Sequence, residues 1–180
     1  MQTTLNKIRA HSPCTGGWEK LLTYLGKTKA DDEPLAITTI LDSNGLDDAL
    51  WCLRAVEGHD KEIRLYAVWC ARQVQHLLKD QRSLNALDVA ERYANGEATE
   101  AELTAARDDA LYAVCDADSA ARSVAWAARS AAMDATWDAA RAAAWDAARA
   151  AGAAWDTARV EMRQRQADEL RRICEEVEGE

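Results

Sequence analysis

The feature that most constrains this chain is an alanine-rich stretch in its C-terminal half. Alanine fills 21 of the 42 positions from 117 to 158. A Trp-Asp pair followed by alanine or threonine, then alanine, then arginine occurs three times, at 137–141, 145–149 and 155–159. Alanine has the highest intrinsic helix propensity, and an aspartate three positions before an arginine pairs with it on a helix surface. The stretch therefore predicts helix whose large apolar side chains are almost all tryptophan.

One straight helix cannot cover this stretch inside a domain of ordinary size. Residues 118–158 would span roughly 60 Å at 1.5 Å per residue, whereas a chain of this length folds to a diameter on the order of 40 Å. We therefore expect a break at Gly152 or, as a weaker choice, between Ser130 and Asp134. If the helix does not break, we expect one end of it to protrude from the domain.

The tryptophans of the stretch have two interpretations. On one unbroken helix Trp126, Trp137 and Trp155 lie within about 20° of one another, and Trp145 lies about 80° away. Such a stripe is typical of a core, which is the interpretation we favour. Tryptophan is also enriched at interfaces, and the neighbouring alanines would let a second copy approach closely. A homo-oligomer formed through this Ala/Trp face therefore stays an alternative.

Helix signals recur upstream of this stretch. The apolar positions of 18–25, 46–56, 60–78 and 83–94 follow helical spacing, and Thr99 with Glu102 forms a capping box. Pro34 is placed as a first helical residue, although 35–41 could also be a strand, and 42–45 reads as a turn. In the helix after His59 we expect Lys61, Arg64, Arg72 and Gln75 to lie away from the apolar stripe.

The predicted fold is all-α. We expect about seven or eight helices in antiparallel pairs, arranged as an orthogonal bundle or a short α-solenoid, with long Ala-rich helices in the C-terminal half. The 180 residues are predicted to form a single domain, with 1–16 and 176–180 as the candidates for fraying.

Charge favours a protein partner over nucleic acid. The formal net charge is −9, which disfavours nonspecific binding to nucleic acid or to an anionic membrane. Residues 31–60 carry eight acidic side chains against Arg54 alone, and 93–120 carry seven against Arg107. The five cysteines are widely spaced, and we find neither a signal peptide nor an apolar run long enough to span a bilayer. We therefore expect a cytoplasmic protein without disulfides.

The residues that usually carry catalysis form no convincing pattern. His11, His59 and His76 have no second ligand at metal spacing, and the pairs Asp47/Asp48 and Asp108/Asp109 point about 100° apart on a helix. We therefore predict no catalytic, cofactor or metal site. Asp47 and Asp48 are better explained as acids in a first helical turn.

An anion pocket is a second, less favoured hypothesis. Its candidate residues are Arg64, Arg72 and His76, with Arg82 and Arg92 nearby in sequence. Arginine suits bidentate binding of carboxylate groups. We favour internal pairing of these arginines with the acids Glu62, Asp88 and Glu91.

Three segments, at 40–51, 60–77 and 86–96, carry a family resemblance when they are followed by the Ala/Trp/Asp/Arg stretch and the Leu-Arg-Arg at 170–172. Together they resemble immunity proteins of bacterial polymorphic-toxin systems, over about residues 18–175. The resemblance implies an all-helical domain with a low-complexity alanine-rich region. It also implies that the protein binds and neutralises a cognate toxin. It assigns no role to individual residues.

The sequence thus leads to one functional hypothesis and one alternative. We expect a non-enzymatic binding protein that covers a cognate, basic protein toxin, with Asp47, Asp48, Glu57 and Asp60 as the contact residues. The alternative is a phage-borne or mobile-element-borne regulator or antagonist. It would bind another protein, or sequester a small anionic ligand through the Arg64, Arg72 and His76 side.

Overall fold

A computed structural model describes residues 1–117, 119–133, 136–151 and 156–179, with the backbone alone for 119–121. Within these ranges the chain forms ten α-helices, two short 3-10 helices and one pair of two-residue strands. The all-α prediction is confirmed, and the helix count exceeds the predicted seven or eight. Asp134, Gly152 and Trp155, on which parts of the sequence interpretation depend, lie outside the described residues, as does Glu180.

The bounds of the elements follow chain order. They are β1 Gln2–Thr3, α1 Leu5–Ala10, α2 Thr15–Tyr24, β2 Leu35–Ala36, α3 Ile37–Asn44, α4 Leu46–Cys52, α5 Asp60–Arg72, α6 Gln81–Ala94, α7 Glu100–Asp116, α8 Ser119–Ala131, α9 Thr136–Ala151 and α10 Asp156–Glu178. The 3-10 helices are Leu53–Ala55 and Gln75–Leu77. The contacts divide into two compact units. Unit 1 is Met1–His59 with Ala167–Glu180, and unit 2 is Asp60–Gln166.

The first residues of unit 1 pack against other parts of the same unit. β1 pairs antiparallel with β2, placing Thr3 opposite Leu35, and Met1 is buried. The Met1 nitrogen donates to the Cys174 carbonyl at 3.3 Å. Pro34 therefore precedes a strand and does not open a helix, because residues 35–36 find a pairing partner in the N-terminal segment.

A single glycine joins α3 and α4. The predicted turn at 42–45 is wrong in its extent, because α3 continues to Asn44. Gly45 alone forms the corner, with φ 94° and ψ 178°, a conformation that is essentially restricted to glycine. Asp47 and Asp48 lie in the first turn of α4 as predicted, where they complement the helix dipole.

Unit 2 is built on a buried alanine layer. α9 packs against α5 and α8. Seven alanines of α9 are buried: Ala139, Ala140, Ala143, Ala144, Ala147, Ala148 and Ala150. Small side chains let helix backbones approach closely, so the layer is filled by methyl groups and backbone. The alanine face is thus covered within unit 2.

The alanine-rich stretch is interrupted between α8 and α9. α8 ends at Ala131, residues 132 and 133 are not helical, and Trp137 lies on α9, which begins at Thr136. The tryptophans therefore do not form one stripe on one helix. Trp126 and Trp137 are half-buried and Trp145 is 54% exposed, so alanine, not tryptophan, fills the core here.

The repeated motif has a local role on the helix surface. Asp138 pairs with Arg141 at 3.8 Å, Asp146 with Arg149 at 2.9 Å, and Asp156 with Arg159 at 3.0 Å. The predicted pairing of aspartate with the arginine three positions later is confirmed in all three copies.

The stripe on α5 is buried as predicted only up to Val74. Leu77 is 42% exposed, because α5 ends at Arg72 and the following 3-10 helix changes the angular spacing. Arg64 is buried although it lies outside the apolar stripe, since it is only 2% exposed. The predicted capping box at Thr99 and Glu102 is formed.

No described helix combines the length with the apolar character needed to cross a bilayer.

Candidate functional site

Unit 1 contains a cavity of about 190 Å³, which we call the Trp18 cavity. Helices α1 to α4 all contribute to its wall. Ile8, Leu21 and Ile40 supply aliphatic surface, and Trp18 and Trp51 supply two indole rings. Most of the exposed wall is therefore apolar, which is typical of small binding sites.

Two polar side chains meet in this wall at the corner between α3 and α4. Asn44 donates through Nδ2 to the Gly17 carbonyl at 2.8 Å and to Asp48 Oδ2 at 2.7 Å. The Oδ1 atom of Asn44 accepts from the Ser43 hydroxyl at 2.8 Å. Asn44 thus fixes the orientation of the Asp48 carboxylate. In the described part of the chain, this hydrogen bond is the only one that the Asp48 carboxylate accepts, and no cation pairs with it.

Gly17 lets α2 lie close to this carboxylate. A Cβ atom at position 17 would lie 2.8 Å from Asp48 Oδ2 and 3.2 Å from Cys14 Sγ. Any larger residue at this position would therefore displace the Asp48 side chain or the thiol. The glycine keeps the carboxylate in the wall of the cavity.

Two cysteines line the Trp18 cavity in different environments. Cys14 is exposed and caps α2, accepting from the Gly17 amide at 3.4 Å. Cys52 is buried, and burial raises the pKa of its thiol to about 12, with the nearby Asp48 charge adding to the shift. Cys52 is therefore a neutral part of the wall, whereas Cys14 is the accessible thiol.

The two tryptophans of the cavity differ in their partners. The Arg54 guanidinium lies 4.1 Å from the centre of the Trp51 ring, and its Nε donates to the Trp51 carbonyl at 3.0 Å. Trp51 therefore already stacks with a cation. Trp18 has no such partner among the described residues.

The four predicted contact acids do not share one environment. Asp47 and Asp48 are neighbours on α4, but only Asp48 lines the cavity. Glu57 is 79% exposed and pairs with Lys7 at 3.0 Å. Asp60 is exposed and begins α5 in unit 2. The structure therefore brings together Asp47 and Asp48 and leaves Glu57 already paired.

Other acids of the 31–60 segment are also paired. Lys27 contacts Asp31 at 2.6 Å and Glu33 at 2.7 Å. The hydrogen bond from Lys27 lowers the pKa of Asp31. Asp42 pairs with Arg171 at 2.5 Å. The local excess of negative charge is thus partly neutralised, whereas Asp48, which lines the Trp18 cavity, has no ion pair with a described residue.

The arginines of the alternative anion site are engaged elsewhere. Arg64 donates to the Met133 carbonyl at 2.7 Å and to the Ala131 carbonyl at 3.3 Å, and it lies 5.2 Å from the Tyr93 ring centre. It therefore satisfies carbonyls at the end of α8, which explains its burial.

Arg72 donates to Asp88 at 3.1 Å, to Glu91, and to Gln75 at 2.9 Å. The favoured pairing of Arg72 with Asp88 and Glu91 is therefore present. His76 is exposed on the 3-10 helix Gln75–Leu77. Arg64 and Arg72 thus bind different partners.

Unit 2 holds a second cavity, of about 250 Å³, where the start of α6 faces the end of α7. Arg82 bridges Asp80 and Asp116 at 2.7 Å each, at one side of this cavity. The buried Ser83 hydroxyl has no hydrogen-bond partner among the residues that the structure describes. One unpartnered hydroxyl specifies a ligand less well than the carboxylate and indole rings of the Trp18 cavity do. Across the described residues, no group of three histidine, cysteine or acidic side chains is placed to hold a metal ion.

Sequence reasoning identified Asp48 but missed the residues around it. Asp48 and Trp51 are three positions apart on α4, a spacing that places side chains on one helical face. Asn44 lies at the end of α3 and contacts Asp48 across the Gly45 corner. Trp18 and Cys14 are distant in sequence, so only the packing of α2 brings them to the site.

Comparison with known proteins adds no assignment. The sequence matches no family model, and no curated protein and no solved structure is significantly similar to it.

Proposed function

We propose that this protein is a non-enzymatic binding protein that neutralises a cognate, basic protein toxin by direct contact in the bacterial cytoplasm. The observation that carries the proposal is the edge formed by Asp47 and Asp48. One of these acids is exposed, and the other lies in an apolar wall and makes no ion pair with a described residue. Such a carboxylate is available to an incoming basic group.

The charge of unit 1 also favours a basic partner. Its 73 residues carry fourteen acidic and eight basic side chains, a net charge of −6. A negative surface speeds the approach of a basic partner and orients it before contact. Apolar surface next to the acids then supplies the short-range part of the binding energy, as in the centre of many interfaces.

The chemistry of the Trp18 cavity favours binding over turnover. General acid–base catalysis uses titratable groups held in different environments within one cleft. The described wall of this cavity presents one carboxylate and two thiols, one of which is held neutral by burial.

The alternative anion site would need Arg64 and Arg72 to leave the partners that hold them. The acidic edge of unit 1 is therefore the better-supported surface. A phage-borne regulator or antagonist of another protein would use the same edge, and the identity of the captured protein separates it from a toxin inhibitor.

Co-expression with the product of the neighbouring gene tests this proposal. We expect that gene product to stop growth when expressed alone and to be neutralised by this protein. The purified pair should associate more slowly as salt is added, because charge contributes to the encounter.

A double variant, Asp47→Asn with Asp48→Asn, should slow association by about tenfold at low salt. The matched control is Asp108→Asn with Asp109→Asn, which removes two exposed acids from α7 in unit 2. Growth that is not restored by the wild-type protein would contradict the toxin proposal. An association rate that does not change with salt would remove its electrostatic part.

A further inference from the structure

We propose that the Trp18 cavity is a receptor for one arginine side chain of the protein partner. The inference rests on the proposed function, because it names the group of the partner that the acidic edge would hold. It commits to an alkyl-guanidinium group that enters the cavity and reaches Asp48.

The size of the cavity sets the scale of its occupant. At about 190 Å³ the Trp18 cavity is small. Pockets for drug-sized ligands and cofactors begin at roughly 300 Å³. The Trp18 cavity thus matches one long side chain better than a nucleotide or a cofactor.

The wall sets the chemistry of the occupant. The apolar surface from Ile8, Leu21 and Ile40 suits the methylene groups of a long side chain. The Asp48 carboxylate would lose water when the cavity fills, and a neutral apolar guest would leave that loss uncompensated. A guest with a positively charged N–H donor at its end satisfies both parts of the wall.

Arginine fits this wall better than lysine does. The guanidinium group is planar, donates to a carboxylate in a forked geometry and stacks on aromatic rings. The molecule already shows this pairing at the cavity, since Arg54 lies on the Trp51 ring. Trp18 is the second indole of the wall, and no described cation lies on it. Asp48 and Trp18 are therefore the two groups that a guest would engage.

Small probes test the cavity without the toxin. We would titrate the full chain with propylguanidinium and with propylurea, which has a similar shape and no charge. The readout is the set of tryptophan indole N–H signals in a ¹H–¹⁵N correlation spectrum. We expect propylguanidinium to shift the Trp18 and Trp51 signals with a Kd of about 1 mM, as for a ligand of few atoms, and propylurea to bind at least tenfold more weakly.

Two matched variants assign the effect to Asp48. Asp48→Asn keeps an acceptor for Asn44 and removes the charge, and Asp47→Asn removes a charge from the same helical turn outside the cavity wall. Asp48→Asn should weaken propylguanidinium at least tenfold, and Asp47→Asn should change the Kd less than twofold. Equal thermal unfolding of both variants confirms that folding is not the cause.

The exposed cysteines give an independent readout. Cys14 lines the cavity and Cys115 lies on α7 in unit 2. Bound propylguanidinium should slow the reaction of Cys14 with a thiol reagent several-fold and leave Cys115 unchanged. Equal protection of both thiols would overturn the assignment to this cavity.

The source of the guanidinium is tested with a blocked Gly-Arg-Gly peptide and its Gly-Gln-Gly counterpart. The arginine peptide should shift the same two indole signals, and the glutamine peptide should not. Binding of free propylguanidinium without binding of the arginine peptide would overturn the proposal, because a side chain attached to a backbone could then not enter. Equal binding of propylurea would overturn it too. If the probes fail while the toxin is still neutralised, only this inference fails. If the probes bind and no toxin is found, the proposed function fails.

Discussion

The corner of unit 1 and the alanine layer of unit 2 fill space in opposite ways. Helices α1 to α4 have six to ten residues, and large side chains such as Ile8, Ile40 and Leu50 are buried on them. Helices α8 and α9 have thirteen and sixteen residues, and their buried face is alanine. Short helices with large side chains leave a gap beside Trp18, whereas long helices with methyl groups close together. In these two regions, the gap lies among the short helices with large side chains and not in the layer of methyl groups.

The largest expected effect is on the unfolding free energy, when substitution of a buried arginine is compared with substitution of a half-buried one. Arg64→Met removes the donors to the Ala131 and Met133 carbonyls in unit 2, and we expect a loss of about 3 kcal/mol in unfolding free energy. Arg54→Met in unit 1 should cost less than about 1 kcal/mol, because Arg54 is only half-buried. Urea unfolding followed by circular dichroism measures both. Equal losses would show that Arg64 is not a structural part of unit 2.

A substitution in the alanine layer tests how tightly it is packed. Ala143→Leu places a larger side chain at a position with 0% exposure, and we expect a cost of about 2 kcal/mol. Arg141→Leu is the control on the same helix, because its side chain is 45% exposed. The midpoint of thermal unfolding should be clearly lower for Ala143→Leu than for Arg141→Leu. Similar midpoints would mean that the alanine layer accommodates a larger side chain without loss of stability.

Replacing one buried cysteine by leucine in each region compares the packing of the two regions directly. Cys70 lies on α5, which packs against the alanine helix α9, and Cys52 lies in the wall of the Trp18 cavity. Cys70→Leu should cost about 1–3 kcal/mol, whereas Cys52→Leu should cost less than about 1 kcal/mol because its side chain can grow into the cavity. Urea midpoints at equal slope give the difference. A larger cost at Cys52 would show that the cavity cannot accept added atoms.

The smallest effect concerns two carboxylates with opposite shifts. Burial raises the pKa of Asp146 in unit 2, despite the Ser130 hydroxyl that donates to it at 3.0 Å, and a hydrogen bond from Lys27 lowers the pKa of Asp31 in unit 1. A raised carboxyl pKa favours the folded state as pH falls through that pKa. A lowered one contributes stability above the unfolded pKa that is lost as pH falls through the folded pKa. Carboxyl ¹³C titration should show Asp146 protonating at higher pH than Asp31, and Asp146→Asn should remove the acid-side gain. The reverse order would contradict the burial of Asp146.

Local patterns predicted much of the fold. The Thr99 capping box, the Asp–Arg pairs of the repeated motif and the buried face of α5 up to Val74 all follow from spacing within a few residues. Patterns that depend on distant partners were missed. The strand at 35–36 exists because residues 2–3 pair with it, and Arg64 is buried because carbonyls 67 and 69 positions later accept its donors.

The candidate site shows the same division between local sequence patterns and contacts with distant residues. Asp48 was predicted from charge, whereas its hydrogen bond from Asn44 and its neighbours Trp18 and Cys14 depend on how α2 packs. Glu57 carried the same charge as Asp48 in the sequence, and only the structure shows that Lys7 neutralises it. Composition alone cannot distinguish a paired acid from an unpaired one.

Gly45 has a consequence for how this protein would diverge. Its backbone angles are closed to other residues, and it sets the angle between the helix that ends in Asn44 and the helix that carries Asp48. One codon therefore controls the spacing of both polar groups. Descendants that change partner are free to vary the rim of the cavity, and those that lose this glycine would lose the site in a single step.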